Sequence, residues 1–144
     1  MRTMKTIEVG CAIIRAGRQH HEKKGHILIS QRVVGDFLGG YWEFPGGKRE
    51  EGESIEDCLI REAMEELGVH VKPQALHSIK EHRYPGKKLI FHFYFCEWIS
   101  GEPQKIECQD VKWVHIEELT QYLFPPADVE IIQDLITRQQ KYFG

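Results

Sequence analysis

The sequence predicts an α/β fold in which a mixed sheet lies between helices. Three observations carry that expectation. Residues 7–14, 26–33, 76–84, 89–99 and 111–115 are rich in β-branched, aromatic or alternating apolar residues, as strands are. Residues 55–67 and 127–142 place apolar residues at helical spacing instead. The two kinds of segment interleave along 144 residues without repeats, low-complexity tracts or linkers, so one domain spanning 1–144 is expected, long enough for a real core.

In chain order, residues 7–14 form the first strand. Residues 15–25 are polar, with His20-His21 and Lys23-Lys24, and are expected to be a solvated hairpin loop rather than a metal site. Residues 26–33 make the return strand, with Arg32 at its end. An arginine there is usually a surface residue, but beside a phosphate it can clamp two oxygens at once. Residues 35–40 form a glycine-rich loop of the kind that covers pockets, leading into Tyr41-Trp42-Glu43-Phe44. Phe44 fits equally as a core aromatic and as a wall for a base.

Pro45, Gly46, Gly47 and Gly52 belong to a second loop. Ser54 is a fair N-cap, with Asp57 three residues on as its weaker partner. Ile55, Cys58, Leu59, Ala63 and Leu67 then define a buried helix face, and Gly68 is a natural stop. Residues 71–73 are a short extended piece. Residues 76–84 and 89–99 are two strands joined by the turn Pro85-Gly86-Lys87-Lys88. The second has apolar residues on both faces and should be interior, with His92 a satisfied histidine in the sheet rather than a base. Residues 101–109 form a loop holding Glu102 and Glu107. A strand at 111–115, a short helix from Ile116 and a last helix over 127–142 complete the chain. That helix should bury Val129, Ile132, Leu135 and Ile136.

Composition narrows the function. Hydrophobic residues are 41% and charged residues 28%, as in ordinary globular proteins. The formal net charge of −3 argues against a nucleic-acid polymer as ligand. Cys11, Cys58, Cys96 and Cys108 form no CxxC pair and read as reduced, structural thiols. Residues 1–5 are basic, but no apolar signal core follows, and no run reaches the roughly 18 apolar residues of a membrane span. The cytoplasm is the expected compartment.

The chemistry is concentrated between Gly47 and Val69. Glu62, Glu65 and Glu66 stand at i, i+3 and i+4, so their carboxylates share one side of a helix. Taken alone, such a face is usually just solvated. The alternative is a hard cation, because Mg²⁺ takes carboxylate oxygens together with water and substrate phosphate. The order is Gly47, five residues, Glu53, seven residues, Arg61-Glu62, an apolar residue, one residue, Glu65-Glu66, one residue, Gly68 and an apolar residue. This pattern resembles the Nudix box of nucleoside-diphosphate-linked-X hydrolases at every defined position. Trp42-Glu43-Phe44-Pro45-Gly46-Gly47-Lys48 and Phe124-Pro125-Pro126-Ala127 further resemble the MutT-type branch, the 8-oxo-dGTP diphosphatases. The likeness covers nearly the whole chain.

That resemblance implies a Nudix-type α/β/α sandwich with a mixed central sheet and a loop-helix-loop box. It implies Mg²⁺, with Mn²⁺ able to substitute, held by Gly46, Glu62, Glu65, Glu66 and Glu107. Glu62, with Glu66 as the alternative, would help deprotonate the attacking water. A Glu53–Arg61 salt bridge would orient the site. Arg32 and Lys48 would meet phosphate, although Lys48 could equally be solvated, and Phe44 would flank the base. The position after Phe-Pro-Pro-Ala, an Asn in MutT-type enzymes, is Asp128 here. An ionised Asp accepts only. It suits an exocyclic amino group or the N7–H of 8-oxoguanine, and it resembles the CTP and 5-methyl-dCTP diphosphatases at this place. It could also merely cap the last helix.

The implied reaction is hydrolysis of a nucleoside triphosphate to monophosphate and pyrophosphate, for nucleotide-pool sanitation. 8-oxo-dGTP is the first substrate, and CTP or 5-methyl-dCTP the second. ADP-ribose or a dinucleoside polyphosphate is a third, since Tyr84 and Pro85 lie near those branches' markers, although a hairpin turn explains them equally. The partner is a small nucleotide, with no polymer and no membrane, and the protein is a monomer or homodimer. A non-catalytic nucleotide sensor is the competing class, disfavoured because every box glutamate is retained.

Overall fold

The computed structural model describes residues 4–144. Residues 1–3 of the basic opening stretch lie outside the described residues. The strands are β1 (Lys5–Ala16), β2 (His26–Gln31), β3 (Trp42–Glu43), β4 (Gly46–Lys48), β5 (His70–Tyr84), β6 (Lys87–Ser100) and β7 (Asp110–His115). The helices are α1 (Ile55–Leu67), α2 (Pro126–Thr137) and α3 (Gln139–Phe143), with 3₁₀ turns at His21–Lys23 and Ile116–Gln121.

All seven strands form one mixed sheet. The main order is β3-β2-β1-β6-β5, with β4 on β1 and β7 on β2. β1 and β6 run parallel and the other pairs antiparallel. β1 and β2 pair at Ile14–Leu28 and Arg15–Ile27 and then part. β1 continues against β4, at Val9–Lys48 to Cys11–Gly46, while β2 continues against β3. Residues 42–48 therefore fill the opening between two diverging strands, which carries the glycine-rich loop to the sheet.

Strand alternation sorts the core into two layers. Ala12, Ile14, Leu28, Cys96 and Trp98 face Leu59, Ala63 and Leu67 of α1. Cys11, Ile13, Ile27, Ile29, Phe93 and Phe95 face Ile131, Ile132 and Leu135 of α2. The sheet is covered on both sides, as the α/β/α expectation required. β6 lies between β1 and β5, with Phe93 and Phe95 buried in one layer and Cys96 and Trp98 in the other. No helix among the described residues is long and apolar enough to cross a membrane.

Several local expectations change. Residues 71–73 and 76–84 are one strand, β5. Pro73 survives within it because the pairing register shifts between Pro73 and Ala75, where a missing N–H costs no ladder bond. The turn after it is two residues, Pro85-Gly86, because Tyr84 pairs with Lys87. The last helix breaks at Arg138, whose φ is −109° and ψ 28°. The break lets α3 fold back, so that Tyr142 packs its ring 4.8 Å from Phe95 and donates its hydroxyl to Asp134 at 2.6 Å. Val129 is 42% exposed and Ile131 takes the buried place expected of it. The buried stripe is thus 131, 132 and 135, and Asp128 lies one turn earlier on that same side.

Candidate active site

Helix α1 is fixed at both ends. The Ser54 hydroxyl accepts from the Asp57 amide at 3.0 Å. Gly68 adopts φ 69°, and its N–H reaches back to the Ala63 and Met64 carbonyls. Burial of Cys58, Leu59, Ala63 and Leu67 against the sheet turns Glu62 and Glu66 toward β4. Two glycines make that approach possible. A Cβ on Gly47 would lie 2.5 Å from the Glu62 carboxyl carbon, and one on Gly46 would collide with the Gly10 carbonyl. Cys58 lies beneath, its thiol donating to the Gly47 carbonyl at 3.4 Å, and burial pushes that thiol up to about 11. All four cysteines are free.

Arg61 gathers the loop. Its Nε donates to Glu53 Oε2 at 2.7 Å and its Nη2 to Glu53 Oε1 at 3.0 Å, a two-pronged pair across the loop. Nη1 donates to Glu62 at 2.9 Å and to Glu65 at 3.1 Å, and Nη2 also reaches the Lys48 carbonyl at 3.1 Å. The Arg61 hydrogen bonds, with the Glu50 amide, hold Glu53 down at about 2. The Arg49 guanidinium adds a brace, bonding Glu8 at 2.7 Å and the Glu53 carbonyl at 3.0 Å. His92 completes it from β6, 3.1 Å from the other Glu8 oxygen.

Glu66 is the outlier. Burial pushes it up to about 9, with Glu43 and Glu62 adding like charge. One of its oxygens, Oε2, is sealed from solvent and has no hydrogen-bond partner. Glu62 and Glu43 are raised as well, each mainly by burial, with Arg61 and Arg32 respectively opposing the shift. Such an orphaned acid is costly unless it is neutralised, and oxygen donors of this kind match a hard divalent cation. Among the described residues no three candidate ligands already stand as a finished cage. Arg61 instead engages Glu62 and Glu65, as expected of acids whose mutual repulsion is relieved by the nearest cation. Glu107 lies on the exposed loop after β6, where the Ile106 and Glu107 amides both bond the Glu66 carbonyl at 3.2 Å. That loop caps the C-terminal carbonyls of α1 and brings Glu107 to the same end of the helix.

Beside the acids lies a cavity of about 730 Å³. Phe44, Phe91, Val9 and Leu89 give it an apolar wall, while Arg32, Lys48, Glu43 and Asp128 contribute charge. Phe44 is both core and wall. It is 3% exposed and packs 5.8 Å from Phe93 and 5.7 Å from Phe124. Arg32 sits just past β2 and bonds Glu43 at 3.2 Å and the Phe37 carbonyl at 2.7 Å. Lys48 is exposed at the rim. Tyr84 and Pro85 reach the same cavity from the β5–β6 turn. Asp128 is pushed up to about 7 by burial and the Glu43 charge. It does not cap α2 through its side chain, because that helix has Pro125 at its cap and no side-chain cap bond.

The structure therefore brings Gly46, Glu53, Arg61, Glu62, Glu65 and Glu66 together, with Arg32, Phe44, Lys48 and Asp128 around the adjoining cavity and Glu107 at the end of α1. Sequence reasoning missed Glu43. It occupies the middle of the arrangement, bonded to Arg32 and close enough to raise Glu66 and Asp128. The available signal was a lone acid between two aromatics in a strand that pairs with β2.

Comparison with known proteins bears on the family and the fold. The model of the NUDIX domain family matches residues 19–134. The 8-oxo-dGTP diphosphatase of Haemophilus influenzae is 36% identical over 139 residues, covering 96% of this chain and 97% of that one. The CTP pyrophosphohydrolase of Escherichia coli is 35% identical over 130 residues, 90% of this chain and 91% of that one. The solution structure of the E. coli ORF135 protein superposes with a TM-score of 0.77 at 32% identity, covering 94% of this chain and 92% of that one.

Proposed function

The chain belongs to the NUDIX domain family, and from that premise we propose that it hydrolyses a modified nucleoside triphosphate to the monophosphate and pyrophosphate. The observation that carries this reading is the buried, unpartnered Glu66 oxygen beside Glu62, next to a cavity large enough for a nucleotide whose lining includes Glu43, Gly46 and Gly47. Mg²⁺, or Mn²⁺ in its place, would be held by Glu62, Glu65, Glu66, the Gly46 carbonyl and Glu107. A bound cation supplies charge neutralisation on the phosphates and a more acidic water.

The protein's own residues do the rest. Glu62 or Glu66 takes the proton of the attacking water. Glu53 and Arg61 are positioning residues that fix the loop against α1. Arg32 and Lys48 receive phosphate oxygens, which requires Arg32 to exchange part of its bond to Glu43. Phe44 flanks the base. Asp128 reads the base edge. With Asp128 raised to about 7, its neutral form is populated at neutral pH and can donate as well as accept. That supports 8-oxo-dGTP as first substrate, where an oxygen and an N–H are presented together. The ionised form of Asp128 favours a second reading, CTP or 5-methyl-dCTP, through the exocyclic amino group. The family's ADP-ribose and dinucleotide activities and a non-catalytic sensor are weaker alternatives. The protein is read as one domain acting in the cytoplasm.

A pyrophosphate-release screen over damaged and ordinary nucleotides, with and without Mg²⁺, tests the proposal. Turnover of 8-oxo-dGTP or a cytosine triphosphate only with the metal is expected. Turnover unchanged in Glu62→Gln, or undiminished in a chelator, refutes it.

A further inference from the structure

A second cavity, of about 590 Å³, lies at the C-terminal end of β1, beyond the Val9–Cys11 stretch that pairs with β4 beside the acids. Its walls come from the β1–β2 connection, from β5 and β6, and from α3. The lining is basic. Arg15, Arg18, Lys23 and Lys24 are there with His20 and His21, against one side-chain carboxylate, Glu97. Four of the chain's nineteen lysines and arginines thus meet in one hollow of a protein whose formal charge is −3. Among the described residues none of those four enters an ion pair. Glu22, 3.8 Å from His20, lies outside the lining.

The hollow is built rather than incidental. Arg15 forms its floor, donating to the Tyr142 carbonyl and to Gln74 Oε1, both at 2.7 Å, and lying 4.4 Å over the Phe95 ring. His20 is held 4.5 Å from the Trp98 ring. Arg18 and Lys24 are exposed and face the opening. Four cationic side chains in one concavity, offset by the single Glu97 side-chain carboxylate, repel one another, and a compact polyanion relieves that repulsion. The volume falls within the roughly 300–1,000 Å³ of small-molecule sites. A curved hollow suits a short ligand better than the flat basic stripe that tracks a polymer backbone.

We infer that this cavity is a second anion site, separate from the acidic centre, and that it takes a small oligophosphate. The same chemistry is offered by inorganic tripolyphosphate and by the phosphate tail of a nucleotide. The inference does not depend on the hydrolytic reading, because none of its residues belongs to the acidic centre.

The test uses the whole chain in a chelator, so that the carboxylate cluster has no metal through which to hold phosphate. Tripolyphosphate is titrated while backbone amides are followed by NMR and heat by calorimetry. Saturable shifts are expected at residues 17–25 and 139–144, with none from sodium chloride at matched ionic strength. The double variant R18A/K24A, on exposed positions remote from the acids, should bind about tenfold more weakly or less and keep the hydrolytic rate. Adding a nucleoside triphosphate separates the sources. Shifts at the same residues with similar affinity make the phosphate chain itself the ligand; shifts confined to residues 32–48 assign the cavity to inorganic oligophosphate. The inference fails if tripolyphosphate leaves residues 17–25 unmoved, if R18A/K24A binds as well as wild type, or if chloride gives the same shifts. Saturation by short single-stranded RNA at far lower concentration would also overturn it.

Discussion

Glu66 shows how one residue can carry both a structural cost and a function. Its carboxyl is buried among Glu43 and Glu62 with one oxygen unpartnered. Glu66→Gln keeps the shape and removes the cost of burying a group that is ionised in the unfolded chain and forced neutral in the folded one. The expected result is a fall in kcat of about 10²–10⁴-fold, with thermal stability in a chelator equal to or above that of wild type. Steady-state kinetics and a melting curve read the two effects separately. Asp128 gives a pH signature. Its folded value of about 7 lies above its ordinary 3.8, so the folded protein favours the protonated form. The stability this gives is full below about 4 and is lost as pH rises toward 7. Asp128→Asn abolishes that loss. The variant should match wild type at pH 4 and exceed it by about 1–3 kcal/mol at pH 8, as read by denaturant melts. Its base selectivity should shift in the nucleotide screen, since an amide always offers both a donor and an acceptor.

The box loop and α1 behave as one element because Arg61 and Arg49 stitch them together. Glu53 is depressed to about 2 from 4.5, so its contribution is present above about 4.5 and lost as pH falls toward 2. Glu53→Gln should flatten that acid limb, and Arg61→Ala should flatten it equally. Both should lower kcat while leaving the base preference unchanged, the mark of residues that position rather than react. The helix start gives a smaller, independent effect. Ser54→Ala removes the bond from the Asp57 amide and should cost about 1 kcal/mol, or about 2–4 °C in Tm. This element was the most legible part of the sequence. Cap, apolar stripe, glutamate spacing and glycine stop are all local signals. The α2 stripe was less so. Val129 and Ile131 are both β-branched and apolar, and which one is buried depends on how the helix is rotated against β1, β2 and β6. That rotation also decided the burial of Asp128.

At the scale of the whole molecule, the layers followed from strand and helix periodicity, but both cavities depend on distant segments. Glu43 acquires its setting only when β2, α1 and α2 converge on β3. The basic hollow is assembled from residues 15–26, Gln74, Glu97 and the chain end. Net charge concealed it, because the sum of −3 averages a basic end with an acidic one.

The parallel partnership of β1 and β6 has a further consequence. Lys5 through Ala16 match Lys87 through Trp98 residue for residue. During synthesis, β1 must wait for its longest neighbour until the ribosome has released nearly two thirds of the polypeptide. Such far-apart pairing slows closure and leaves an apolar ribbon uncovered in the interval. Nascent chains halted before Lys87 should therefore bind chaperones, and chains extended past Ser100 should escape them.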